Sequence, residues 1–350
     1  MRTKKTTTKK TKAGRRHHRQ RGVALILVLW TFAAVAVLAA EFARAMHDEA
    51  ASTRNFKEST HARMIALAGV NEVILALKAD RQTAQDVETA EDYENPDPIR
   101  SLSHGDGQWV PASFRGNRYE VRVFDEAGKL ALNKLDATQL RMIFENLGID
   151  PDEGEVIADS IIDWQDADDL HLTNGAESEY YEGLDRPYRA KNAWFDSVEE
   201  LLLVRGVTRE IFYGFDGVPG LIDIFSVFNQ TKTINLNSVT PAVMQALSGI
   251  DPEAASEFQS DRRTADGEAS KDELRALLAP SGVSSRSSVP QYMTIEARVH
   301  DASGTVVLAH VGAVVNLSRD GDGLKLSRWY DSIFDESDET GGSPAADTTS

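Results

Sequence analysis

Cysteine is absent from all 350 residues. Disulfide frameworks, thiolate catalysis, Fe–S clusters and Cys-ligated zinc are therefore excluded. Basic residues are scarce: 38 Lys plus Arg stand against 55 Asp plus Glu, for a formal net charge of −17. That balance argues against nucleic acid as a partner, because neutralising phosphates needs a basic surplus. Catalytic signatures are missing as well: no G-x-S-x-G, P-loop or H-E-x-x-H occurs. The eight His form no motif, and the chain reads as a non-enzyme. What is present, 41% hydrophobic and 27% charged residues, suits a globular protein with a real core.

The charge is unevenly spread. Residues 1–21 hold ten Lys or Arg and no acid, which leaves 28 basic against 55 acidic residues, a balance of −27, in the rest. Residues 23–40 then form an 18-residue run, VALILVLWTFAAVAVLAA, with Thr31 as its only polar member. As a helix it would span about 27 Å, close to the hydrocarbon thickness of a bilayer. The basic flank before it and Glu41 after it predict an N-terminus in the cytoplasm and the acidic bulk outside. Three readings compete: a cleaved signal peptide ending near Ala40, an uncleaved signal anchor, and a prepilin-type leader cut between Gly22 and Val23. The segment after Ala40 bears on the choice. Between residues 41 and 79 there is no Pro, and Gly69 is the only Gly. Phe42, Met46, Phe56, Met64, Leu67, Val73, Ile74 and Leu77 approximate an apolar stripe at helical spacing, so one helix is expected from Val23 to near Lys78. Small residues recur on it at Ala43, Ala50, Ala51, Ala62, Ala66, Gly69 and Ala76, a pattern that would allow close approach of a neighbouring helix.

Residues 81–116 are polar and turn-rich and read as a connection. Residues 117–132 alternate, with Tyr119, Val121 and Val123 on one face and Glu120 and Arg122 on the other; Glu126, Ala127, Gly128 and Lys129 supply a turn, so a hairpin is expected. A second hairpin is expected from residues 292–300 and 305–317, followed by a last strand at 324–330. Between these β stretches, residues 133–288 read as helical. Residues 130–150 and 234–251 look alike, each with a strand-like start, an Asn, an N-cap candidate (Asp136, Thr240) and a short amphipathic helix. Pro241 suits a first helical position. A third helical unit, 196–213, offers a Ser197–Glu200 capping box and Gly206 as a terminator.

The sharpest local chemistry is acidic. In DWQDADDLHLTNGAESEYY, Asp163, Asp166, Asp168, Asp169, Asn174, Glu177 and Glu179 crowd into seventeen residues around Gly175. Hard oxygen donors in a loop suit Ca²⁺. The spacing is not that of an EF-hand, and a plain acidic surface loop fits the composition equally well. Trp164, Tyr180 and Tyr181 suggest a packed loop, in which so many carboxylates would repel one another without a cation. The Asp320–Gly323 turn is a weaker candidate.

RGVALILVLWTFAAVAVLAAEFARAM, the acidic block, KNAWFDSVEELLLVRGVTREIFYG and INLNSVTPAVMQALSGID resemble, in order, blocks of the K-type minor pseudopilin of bacterial type II secretion. The resemblance implies an α+β fold: a pilin-like long N-terminal helix packed on an antiparallel sheet, with a large all-helical domain inserted between the sheet halves. The segments would be a basic leader (1–22), a transmembrane and amphipathic helix plus connection (23–116), a pilin-like sheet (117–132 and 289–334), the helical insertion (133–288) and a disordered acidic tail (335–350). It further implies processing by a prepilin peptidase at Gly22 and Val23, methylation, and Ca²⁺ in the helical domain. A single-pass inner-membrane location is implied, with a periplasmic globular part at the pseudopilus tip. The I- and J-type minor pseudopilins and other pseudopilins would be partners. At the fifth mature position most pseudopilins carry Glu, whereas this chain has Leu27, as the K type does. A Glu in the membrane is costly without a partner, and a leading subunit has no neighbour above it to supply one. The alternative is a signal-anchored or secreted calcium-binding protein with an unrelated surface role.

Overall fold

With no proline between Gly22 and Glu94 to remove a backbone donor, the N-terminal region forms one helix, α1, over Gln20–Asp86. The computed structural model describes residues 20–86, 102, 105, 107–261, 267–288, 290–317 and 324–331. Most of the expected basic leader, the Asp320–Gly323 turn and the acidic tail lie outside the described residues. The chain divides into two compact units, residues 1–60 and 61–350. In the first, residues 24–60 are exposed apart from half-buried Ala51. The helix is long and apolar enough to cross a membrane, with a best 18-residue window of mean hydropathy 2.3.

In the second unit, the later turns of α1 lie on a five-stranded antiparallel sheet. Its strands, in spatial and chain order, are β1 (Val110–Phe114), β2 (Asn117–Asp125), β3 (Tyr292–His300), β4 (Val307–Asn316) and β5 (Lys325–Tyr330). Tyr119, Val121 and Val123 of β2, Ile295 and Ala297 of β3, and Val311, Ala313 and Val315 of β4 bury one face. Ala62, Ile65, Ala66, Val70, Val73 and Leu77 of α1 complete that core. The opposite face carries charge in register: Arg122 faces Glu296 and Glu120 faces Arg298 across β2 and β3, each pair joined at 2.7 Å. Opposed charges at directly paired positions favour this register.

Three of the small residues of α1 have a different role from the one their spacing suggests. Ala62 and Ala66 are 2% and 0% exposed, and a Cβ on Gly69 would stand 2.6 Å from the Tyr119 ring. They are small because the chain's own sheet comes close, so the expectation of a free helix–helix face at Ala62, Ala66 and Gly69 is corrected. Ala66→Glu should therefore destabilise the second unit by about 3 kcal/mol or more, since it buries an unpaired charge. An unchanged melting temperature for that variant would contradict this packing.

The first expected hairpin is also corrected. β2 pairs backwards with β1, through a two-residue turn at Arg115 and Gly116 whose φ values are +49° and +84°. Two positive φ values match the twist that tight hairpins require. The stretch lies in the polar, turn-rich segment expected to be a connection, yet it forms β1, an edge strand, where Pro111 is tolerated. Leu130 and Ala131 instead pair in parallel with Phe225 and Ser226.

Between β2 and β3 the chain runs through short helices around a separate core that includes Leu140, Phe144, Ile157, Ile161, Trp164, Tyr181 and Phe212. Their ends obey local capping rules. Asp136 and Gln139 form a capping box at α2 (Ala137–Asn146). Asp150 caps α3 (Pro151–Gln165), and Thr240 caps the helix Pro241–Ser248, which Gly249 closes at φ +67°. Ser197 and Glu200 form the expected capping box, but on a 3₁₀ turn, Val198–Leu203. Gly206, at φ +87°, separates this turn from the helix Arg209–Tyr213. Asp125 ties the block to the sheet: buried at the end of β2, it accepts from Asn235 Nδ2 at 2.6 Å and Ser238 Oγ at 2.7 Å.

Candidate metal centre

Helix α3 ends in a run that turns its last carboxylates toward the adjoining loop. Asp163 sits on the final turn, Asp166 is the C-cap, and Glu177 precedes α4 (Ser178–Glu182) without capping it through its side chain. One oxygen from each of Asp163, Asp166 and Glu177 lies within 4.8 Å of the others. The loop is folded over Asp163, whose two oxygens accept the Leu172 amide at 3.1 Å. A Cβ on Gly175 would fall 1.9 Å from Asp163 Oδ2, so only glycine lets the backbone come this near. Arg205 braces the loop from outside by donating to the Gly175 carbonyl at 3.0 Å and lying over the Tyr180 ring. Beneath it, Trp164 and Tyr181 pack edge to face with centroids 5.2 Å apart.

The electrostatics of this cluster are unfavourable without a counter-charge. Glu177 is 4% exposed, and both its carboxylate oxygens are buried with no hydrogen-bond partner. Burial, followed by repulsion from Asp163, Asp166 and Asp169, pushes its pKa up to about 7. Burial also raises Asp163, against the lowering effect of the Leu172 amide, and raises Asp166, against the lowering effect of the Asp168 amide. An unpartnered buried carboxylate facing two others is the arrangement that a divalent cation relieves, and the donors are all hard oxygens.

The seven residues singled out in the sequence divide clearly. Asp163, Asp166 and Glu177 come together. Asp168 and Asp169 shape the loop: Asp168 Oδ1 accepts the Leu170 amide at 2.9 Å, and Asp169 Oδ1 accepts Asn192 Nδ2 at 3.2 Å. Asn174 turns to Glu155 at 3.0 Å, and Glu179 is exposed in the first turn of α4. Arg205 was not legible as part of the site, because it reaches the loop from thirty residues away with no spacing to announce it. The same holds for Asp159, which is buried, accepts the Asn174 amide at 3.2 Å and pairs with Arg141.

Residues 117–214 match the family model described as type II secretion system (T2SS), protein K. The chain is 26% identical over 202 residues to the type II secretion system protein K of Aeromonas hydrophila, an alignment covering 55% of this chain and 61% of that protein. It is 28% identical over 276 residues to the Pseudomonas aeruginosa protein of the same name, covering 75% and 78% respectively. Its fold is similar to a chain in the crystal structure of the GspK–GspI–GspJ complex from the enterotoxigenic Escherichia coli Type 2 Secretion System. That match has a TM-score of 0.51 at 14% identity and covers 81% of this chain and 100% of that one.

Proposed function

We propose, given that this chain belongs to the type II secretion protein K family, that it is a minor pseudopilin at the tip of the pseudopilus. There it would start or cap the filament that serves export of folded proteins. The observation that carries this reading is a combination within one chain: an exposed apolar helix of membrane-spanning length and a segment, 117–214, comprising β2 and the first part of the helical block, that matches protein K. Leu27 supports the leading position, since an apolar side chain there removes a membrane-buried charge that a first subunit could not pair. The large block between β2 and β3 supports it too, because a repeating shaft has little room for such bulk.

Maturation between Gly22 and Val23 by a prepilin peptidase, with methylation of the new N-terminus, would leave the apolar helix in the inner membrane. The basic residues before it favour an N-terminus in the cytoplasm and a periplasmic globular part. The role is structural rather than enzymatic. I- and J-type minor pseudopilins are the proposed partners, a reading supported by the fold shared with a chain of the GspK–GspI–GspJ complex. Ca²⁺ is the proposed ion at Asp163, Asp166 and Glu177, where it would supply positive charge that fastens the loop to the end of α3.

Co-expression of the full chain with I- and J-type subunits tests the assignment. A stoichiometric complex of the three is expected on co-purification. A folded chain that associates with neither, and whose mature N-terminus lies near Glu41, would favour an ordinary secreted calcium-binding protein.

A further inference from the structure

A cavity of about 240 Å³ lies where the sheet meets the helical block, with Tyr213, Ile222, Phe225, Phe228 and Tyr330 among its walls. Into it faces Glu126, which immediately follows β2 and is 6% exposed. Its two oxygens accept from different hydroxyls, Oε1 from Thr294 and Oε2 from Ser226. Ser226 Oγ meanwhile accepts the amides of Phe228 at 3.0 Å and Asn229 at 3.1 Å, so its own proton is left for the carboxylate. A carboxylate has about four acceptor positions, and these hydroxyls use two. Among the described residues no Lys, Arg or His forms an ion pair with Glu126.

The other charged groups of the cavity are engaged elsewhere. Lys129 Nζ donates to the Ile222 carbonyl at 3.0 Å and lies 5.0 Å from the Phe124 ring centroid. Arg328 donates to the Asp196 carbonyl and lies over Phe228. Glu296 is held by Arg122 at 2.7 Å and His310 at 3.2 Å, while Glu199 adds a further negative charge to the lining. Glu126 is thus a fixed, hydroxyl-oriented carboxylate with acceptor capacity to spare, set among aromatic and aliphatic walls.

We propose that this cavity is a binding site for a primary ammonium or guanidinium group carried on a short apolar stem, with Glu126 as its charge partner. Hydrogen bonds between a cation and a carboxylate are stronger than neutral ones, and aromatic faces attract cations. The volume is below that of typical pockets for drug-sized ligands and suits a single side chain or a small amine. Both sources present the same chemistry, and their relative affinities distinguish them.

The test uses the full chain in lipid nanodiscs, titrated at pH 7 with n-butylammonium, with 1-butanol as the neutral counterpart, and with a blocked Gly-Lys-Gly peptide. Binding is followed by calorimetry and by NMR signals of the cavity residues. Butylammonium is expected to bind at least tenfold more tightly than butanol, and Glu126→Gln should remove that preference. A peptide that binds more tightly than butylammonium assigns the site to a partner's basic side chain; weaker binding assigns it to a free amine. If Glu126→Gln does not fold, Ile222→Trp, which fills the cavity from its apolar wall, should abolish binding instead. Equal affinity for amine and alcohol, unmoved cavity signals, or binding that survives every folded variant would overturn the proposal.

Discussion

Chelation should make the melting temperature of this protein fall as pH rises from 5 to 8, and millimolar Ca²⁺ should cancel the fall. Glu177 is held near 7 in the folded chain against an ordinary value of 4.5 in the unfolded one. Between those values the folded state therefore binds the extra proton, and its stability decreases with rising pH by linkage. The contribution is present below about pH 4.5 and is gone once pH passes about 7, amounting to at most about 3 kcal/mol. Asp163 and Asp166, both raised, act in the same direction. Glu296 acts in the opposite one: despite its burial, Arg122 and His310 bring it down to about 2, so its contribution is lost only as pH falls from about 4.5 towards 2. The window above pH 5 excludes Glu296; Asp125, also raised by burial, lies outside the loop, so its share is the part that Ca²⁺ leaves unchanged. The proposed Ca²⁺ would bind the deprotonated cluster, so its stabilisation should grow with pH, reaching about 2.7 kcal/mol at a hundred times its dissociation constant. Glu177→Gln combined with Asp166→Asn should raise the melting temperature in EDTA and remove the response to Ca²⁺. A calcium-independent melting curve for the unmodified protein at pH 8 would remove the ion from this site.

Gly22→Val should leave the precursor entirely uncut, an all-or-none effect on maturation. The scissile bond proposed between Gly22 and Val23 must enter a peptidase cleft as bare backbone, and a branched β-carbon would obstruct it. N-terminal sequencing or mass spectrometry of the unmodified protein should begin at Val23 with a methylated amine. Normal processing of the Gly22→Val variant, or a mature start near Glu41, would overturn the leader assignment. Because residues 24–60 are almost wholly exposed, the substitution should leave the melting temperature of the second unit unchanged. Failed processing is thereby separated from failed folding.

Much of the architecture is legible in the sequence, because it rests on local rules. A proline-free apolar run makes α1. Alternation places Tyr119, Val121 and Val123 on the buried face of β2 and Glu120 and Arg122 on the other. Asp136, Ser197 and Thr240 are readable as caps because a short polar side chain before a helix meets unsatisfied amides wherever the helix lies. The acidic loop is visible as composition, and its aromatic neighbours indicate that it is packed.

Tertiary structure decided the matters that depend on what comes near from far along the chain. Ala62, Ala66 and Gly69 could have served a neighbouring helix, and only the approach of Tyr119 and its sheet shows that they serve their own core. The polar, turn-rich composition of the segment before β2 disguised an edge strand whose partner was visible and whose position at the edge was not. Seven candidate ligands became a cluster of three because the last turn of α3 and the start of α4 aim Asp163, Asp166 and Glu177 at one point, while Asp168 is spent on the loop's own turn and Asp169 on Asn192. Glu126 read as an ordinary turn residue; Thr294, Ser226 and the aromatic walls, from 87 to 204 residues further along, make it a buried carboxylate facing a cavity. Spacing along a chain reports which residues share a helix face or a strand face, but the dielectric and the partners of a charge are set by the residues that folding packs against it.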